Sequence, residues 1–137
     1  MMFPAAYRAA RSKYSAVKFT VDAITFDSKR EATRYGELKL LEKAGHVRAL
    51  RLQPRYALCA LVIDQADVRN LNTGTTSPRR TPVAEYIADF EYEECPSGGD
   101  SVTWHVVVED VKGMRTTVYK LKKRWFEAQY QITIREI

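Results

Sequence analysis

Two segments, VAEYIADFEY (Val83–Tyr92) and TWHVVVEDVK (Thr103–Lys112), decide the reading of this chain. Both read as β-strands, the second rich in valine, and successive side chains of a strand point to opposite faces. Pro96-Ser97-Gly98-Gly99-Asp100 lies between them and turns the chain back, so the two strands are expected to pair antiparallel. On the second strand Trp104, Val106, Val108, Asp110 and Lys112 share one face. On the first, Ile87, Asp89 and Glu91 do. Asp89 can then lie beside Asp110, with the Lys112 ammonium next to it at the strand's end. Tyr86 falls on the face opposite Asp89 and is assigned to core packing. Glu109 falls opposite Asp110 and is assigned to the surface or to a basic partner, unless a bend swaps the two.

Working outward, VKFTVDAITF (Val17–Phe26) reads as a short β-hairpin with Asp22-Ala23 at the bend. Ser28 with Glu31 three residues on matches the S-x-x-E capping box, and the helix it opens runs to Gly45, a favoured residue just past a helix end. The apolar stripe of that helix is Ala32, Tyr35, Leu38, Leu41 and Ala44; a close backbone approach would account for Gly36 in its interior. Val47–Leu52 and Arg55–Ile63 read as strands separated by Gln53-Pro54. Residues 64–82 are polar, with Gly and Pro, and read as a long loop of the kind that carries binding function or marks an insertion. A second helix is expected from about Thr116 to Gln129, with Val118, Leu121 and Trp125 as its buried stripe. Ile132–Ile137 closes the chain as a strand. The organisation expected is a flexible basic arm over residues 1–16 and one domain over 17–137.

A chain of 137 residues, 45% hydrophobic and 28% charged, suits a single folded domain rather than a fibrous or disordered one. Lys and Arg outnumber Asp and Glu by 22 to 17, which favours an anionic partner. Cys59 and Cys95 are far apart and form no C-x-x-C pair, so they read as reduced thiols of a cytoplasmic protein and not as a zinc or redox site. No apolar run is long enough to span a membrane, and the basic N-terminus lacks the apolar core of a secretory signal.

Two carboxylates a few ångströms apart repel each other, and a divalent cation removes that repulsion. Mg²⁺ takes carboxylates, waters and phosphate oxygens, and it activates water for attack on phosphorus. The pair Asp89…Asp110-Val111-Lys112, with 20 residues between the acids, resembles the D…(D/E)-x-K signature of the PD-(D/E)XK nuclease superfamily. The likeness extends to whole segments: VDAITFDSKREA, LQPRY, YIADF, VVEDVKG and VYKLKKRWF, in this order, are similar to small phage and prophage proteins of that superfamily. The resemblance implies an α/β (α+β) restriction-endonuclease-like αβββαβ core with a mixed central sheet flanked by helices, in a bacterial host or phage-infected cell. It implies that Asp89, Asp110 and the Val111 carbonyl ligate Mg²⁺, with Mn²⁺ able to substitute, and that Lys112 assists the attacking water. Glu31 would complete the metal shell or hold a water; as a capping-box residue it needs neither role. Ala88 stands where the name-giving proline would be. Gln53 would reach the active site or cap backbone. The bland alternative for Asp110 and Lys112 is a surface ion pair at a solvated strand end.

Around this site, Arg115, Lys120, Lys122, Lys123 and Arg124 form a basic run without an acid. Arg115, Lys120, Lys123 and Arg124 are candidates to meet phosphates, and Arg79 and Arg80 in the long loop and Arg11 and Lys13 in the arm are further ones. The expected function is a Mg²⁺-dependent endonuclease acting on DNA guided by structure, because backbone contacts carry no sequence information. A branched recombination intermediate such as a Holliday junction is the best single substrate, and cutting both of its arms would call for a symmetric homodimer. The rival is a nuclease-like module that binds DNA or a replication partner without cutting it; RNA processing is a third reading.

Overall fold

A computed structural model describes residues 17–62, 79–96, 103–111 and 113–137. The expected basic arm with Arg11 and Lys13, most of the expected long loop, and Lys112 lie outside the described residues. The chain divides at Glu37/Leu38 into two compact units.

In the first unit β1 (Phe19–Val21) and β2 (Ile24–Phe26) pair antiparallel with Val21 opposite Ile24. The two linking residues, Asp22 and Ala23, have φ of 50° and 62°. Two left-handed residues give a turn whose twist matches that of the strands. Helix α1 (Lys29–Lys43) starts as its capping box requires: the Glu31 N–H donates to Ser28 Oγ at 3.2 Å, and Ser28 Oγ donates to Glu31 Oε1 at 2.9 Å. The Phe26 and Tyr35 rings meet at 5.1 Å, both buried.

The end of α1 is built by Gly45. Its φ of 79° lets the His46 N–H reach the Leu41 carbonyl at 3.0 Å, and its own N–H reach that of Glu42 at 3.1 Å. Of the expected stripe, Ala32, Tyr35 and Leu38 are buried, Leu41 is half-buried and Ala44 is exposed. Gly36 meets no close backbone: an added Cβ would find nothing within 4 Å.

The second unit holds β3 (Val47–Leu52), β4 (Arg55–Val62), β5 (Arg79–Ile87), β6 (Phe90–Glu94), β7 (His105–Asp110), α2 (Thr117–Tyr130) and β8 (Ile134–Glu136). A four-stranded mixed sheet runs β3-β6-β7-β8, antiparallel except for the parallel β7–β8 pair, and β4 and β5 form an antiparallel ribbon. The described fold is thus α+β, with a mixed central sheet and two helices. Leu58, Tyr86, Ala88, Val108, Tyr119, Phe126 and Ile134 make its core cluster.

Two expectations need correction. The segment Val83–Tyr92 is not one strand. It bends at Ala88-Asp89, where β5 leaves the ribbon and β6 enters the central sheet. The β3–β4 connection bends at the same corner: Gln53 has φ 47°, and Pro54 has no N–H with which to continue the β3 ladder. The Gln53 N–H donates to the Asp89 carbonyl at 2.9 Å, and the Ala88 N–H donates to that of Pro54 at 3.2 Å. Arg79–Pro82, expected in the loop, belong to β5, with Arg79 opposite Val62 and Arg80 opposite Leu61.

The second correction concerns α2, which is rotated from its expected facing. Val118 and Leu121 are each 61% exposed, whereas Tyr119 and Phe126 are buried. α2 packs on β4 and β5, and what it meets there is aromatic. The Phe126 ring lies 4.8 Å from Tyr56 on β4 and 5.3 Å from Tyr86 on β5, and 4.9 Å from Tyr130 of its own helix. Large rings bury more area than Val or Leu, so they win the inner face. Thr116 caps the helix start by accepting the Tyr119 N–H at 3.1 Å.

Candidate functional site

The bend at Ala88-Asp89 places Asp89 against the end of β7. Its backbone N–H donates to the Glu109 carbonyl at 3.1 Å, and its Oδ2 accepts the Val111 N–H at 2.6 Å. Asp89 therefore lies beside Asp110 through bonds to both of Asp110's chain neighbours. Asp110 is fully buried, and its Oδ2 accepts the Tyr86 hydroxyl at 2.5 Å. Its carbonyl accepts the Ile137 N–H at 3.0 Å.

Tyr86 is thus part of this site, not only of the core. Strand alternation fails between residues 86 and 89 because the bend resets it, which brings Tyr86 and Asp89 toward the same acid. Burial is the largest cause holding the Tyr86 hydroxyl well above its ordinary pKa of 10.0; the hydrogen bond to Asp110 and the charges of Asp110 and Asp89 add to it. This proton stays in place at neutral pH, so Tyr86 acts as a fixed donor.

Behind Asp110 lies a second acid that pattern reasoning missed. Glu136 pairs with Asp110 in the parallel β7–β8 register. Its Oε1 accepts the Tyr119 hydroxyl at 2.9 Å and Lys123 Nζ at 3.0 Å, and its Oε2 lies 2.6 Å from an Arg115 nitrogen. The Lys123 hydrogen bond is the main cause holding the Glu136 carboxyl below its ordinary range, with Tyr119 and Arg115 adding to it. Tyr119 is pushed above its ordinary range by burial first, then by the Glu136 hydrogen bond and the Asp110 charge. The signal in the sequence was weak: a lone acid next to the last residue, with both cations far away along the chain.

Glu109, expected at the surface, is fully buried. Its Oε2 accepts the Tyr92 hydroxyl at 2.7 Å, and Arg135 donates to the same hydroxyl at 3.0 Å. A buried carboxylate persists where hydrogen bonds replace its lost hydration. Glu109 and Asp110 do use opposite faces of β7, as alternation requires; here both faces are covered. Gln53 touches the site through its backbone bond to Asp89.

The other candidates divide. Glu31 caps α1 in the first unit. Lys123 and Arg115 are engaged with Glu136, and Lys122 Nζ donates to the Glu85 carbonyl at 2.8 Å. Lys120 and Arg124 are exposed on α2, and Arg79 and Arg80 are exposed on β5.

Asp89, Asp110 and the Val111 carbonyl offer only oxygen donors, the kind a hard cation takes. Among the described residues no three His, Cys, Asp or Glu side chains gather as a metal site. A cation here would rest on two carboxylates, with waters or phosphate oxygens filling its shell, which suits Mg²⁺ better than zinc. Among the described residues no helix is long and apolar enough to cross a membrane.

No curated protein and no solved structure matches the chain. A family model described as "Protein of unknown function (DUF1064)" matches residues 11–136. That match spans nearly the whole sequence, and the chain belongs to the DUF1064 family.

Proposed function

We propose that this protein is a Mg²⁺-dependent endonuclease of the PD-(D/E)XK type that hydrolyses DNA phosphodiester bonds, with branched DNA as its preferred substrate. The observation that carries the reading is the Asp89 carboxylate on the Val111 N–H at 2.6 Å, beside Asp110 on the neighbouring strand. One acid at the β5–β6 bend and one at the end of β7 are held at a single corner by hydrogen-bond donors. Preorganised charge of this kind is what a phosphoryl-transfer site needs. The bound Mg²⁺ would supply an activated water and charge stabilisation at phosphorus.

The chain's own residues do the rest. The Val111 N–H fixes the Asp89 carboxylate, and the Tyr86 hydroxyl fixes that of Asp110. Lys112 follows Asp110 by two residues and balances the charge that grows on phosphate as water adds and one bridging P–O bond breaks. Lys120 and Arg124 hold the DNA backbone. Mn²⁺ substitutes for Mg²⁺, and a homodimer acts where both arms of a junction are cut.

A second reading is a DNA-binding module that does not cut. It is favoured by the full burial of Asp110, whose Oδ2 is already engaged by Tyr86. Purified protein incubated with linear, circular and four-way DNA, in Mg²⁺, Mn²⁺ or EDTA, separates the two. Metal-dependent cleavage lost in Asp110→Asn is the expected result. Binding without cleavage in either metal rejects the nuclease, and RNA in the same assay tests the third reading.

A further inference from the structure

A groove of about 270 Å³ opens between the β4–β5 ribbon and α2, lined by Cys59, Leu61, Arg80, Trp125, Ala128 and Gln129. Its floor is built from an interrupted ladder. Cys59 lies opposite Pro82, at a register shift between Leu58 and Cys59. Pro82 has no N–H to offer the ribbon, and α2 side chains serve the backbone instead. Trp125 Nε1 donates to the Cys59 carbonyl at 3.2 Å. Gln129 Oε1 accepts the Cys59 N–H at 2.8 Å, and its Nε2 donates to the Ala57 carbonyl at 2.8 Å. The Trp125 ring is therefore fixed at its nitrogen edge while the residue stays half-exposed.

We propose that this groove binds one unpaired base of single-stranded DNA, stacked against Trp125 with its phosphate on Arg80. Among the described residues the lining supplies an indole, an aliphatic side chain and a guanidinium, and no carboxylate. Aromatic platforms beside a cation are how proteins hold single strands without reading sequence. At about 270 Å³ the groove falls just short of the roughly 300–1,000 Å³ of sites for drug-sized ligands, which suits one base and not an enclosed cofactor. Arg80 lies six residues along β5 from Tyr86, roughly 20 Å at strand rise. A single strand that runs from the acids to Arg80 must cover that distance.

This inference rests on the reading that the partner is DNA, and one titration separates the two. Trp104 and Trp125 are the only tryptophans, so the full chain carrying Trp104→Phe reports on Trp125 alone. It is titrated with a 15-nucleotide oligothymidine in EDTA. Saturable quenching of Trp125 emission is expected. Trp125→Leu should weaken binding roughly 5- to 150-fold, and Arg80→Ala should lower the salt slope by about one. Arg80 is exposed, so its variant stays informative if Trp125→Leu fails to fold. Binding with unchanged Trp125 emission, binding unaffected by Arg80→Ala, or no binding of the single strand overturns the groove. Metal-dependent cleavage of duplex alongside any of these leaves the nuclease reading intact. Quenching with no cleavage in Mg²⁺ or Mn²⁺ sustains the groove and rejects the nuclease.

Discussion

The Tyr86 hydroxyl donates to Asp110 Oδ2 at 2.5 Å, tying the β4–β5 ribbon to the central sheet through two buried residues. Tyr86→Phe removes the donor and keeps the ring. A buried carboxylate oxygen then loses a partner, at a cost of about 1–3 kcal/mol. Urea unfolding should show that loss. If Asp110 is a metal ligand, Mn²⁺ affinity measured by calorimetry should change in the same variant. An unchanged midpoint would mean that water replaces the hydroxyl and the bond stabilises nothing.

Three tyrosines, Tyr56, Tyr86 and Tyr119, are held above the ordinary value of 10.0, chiefly by burial and by carboxylates that accept hydrogen bonds from their hydroxyls. The sign follows from the raised folded-state values. Their contribution is fully present below pH 10 and is lost as pH rises beyond it, because the unfolded chain gives up these protons first. Urea midpoints should fall between pH 10 and 11.5. The fall should be shallower in Tyr56→Phe/Tyr86→Phe, a comparison that removes the shared effect of lysine titration. Equal slopes in the two proteins would contradict the assignment.

Asp89 serves two ends that substitution can separate. Asp89→Asn keeps an acceptor for the Val111 N–H but loses the charge, so stability should hold within about 1 kcal/mol while cleavage is abolished. Asp89→Ala leaves that N–H unsatisfied and should cost about 1–3 kcal/mol as well. Thermal melts beside nuclease assays read both. If the two variants melt together, the 2.6 Å bond is not what holds the corner.

What could be read in the chain and what could not have physical causes. The hairpin at Asp22-Ala23, the Ser28–Glu31 cap and the Gly45 stop are local chemistry, written in adjacent residues, and each formed where its residues stand. Asp89 beside Asp110 follows from antiparallel pairing and is borne by the Val111 bond. Tyr86 packs in the core as expected, but its bond to Asp110 was not legible because alternation was carried through Ala88-Asp89, where the chain changes sheets. Pro54 gave a hint of that corner, but which strand would share the bend is a long-range fact. The α2 facing was wrong because Val118, Leu121 and Trp125 also fit a helical stripe. Only the ribbon's aromatic surface selects Tyr119 and Phe126. Phe126→Ala should therefore cost about 3–5 kcal/mol, whereas Leu121→Ser should stay within about 0.5 kcal/mol.

Glu109, Tyr92 and Arg135 test whether the covered side of β7 is structural. Glu109→Gln keeps the shape and removes the charge, so the loss should be about 1.5–3 kcal/mol, the range for hydrogen bonds to charged groups. Tyr92→Phe should cost a similar amount. In the double variant the two losses should not add, with a coupling of at least about 0.5 kcal/mol. Neither change should alter metal dependence, because Glu109 faces away from Asp110. A shift in Mn²⁺ affinity would place Glu109 in the site after all.

The basic face of α2 is partly occupied from within. Arg115 and Lys123 both reach Glu136, and a cation held by a carboxylate gives a phosphate less attraction. Lys120 and Arg124 are exposed and should carry the DNA contact: replacing either with Ala should reduce the salt slope of duplex binding by about one. Glu136→Gln should act in the opposite direction, releasing Arg115 and Lys123, tightening binding and steepening the slope by up to about two. The same substitution has a signature in acid. A carboxyl held below its ordinary 4.5 contributes stability above that pH and loses it as pH falls, so the variant should lose less stability between pH 5 and 3. Weaker DNA binding in Glu136→Gln would show instead that Glu136 positions those two cations for phosphate.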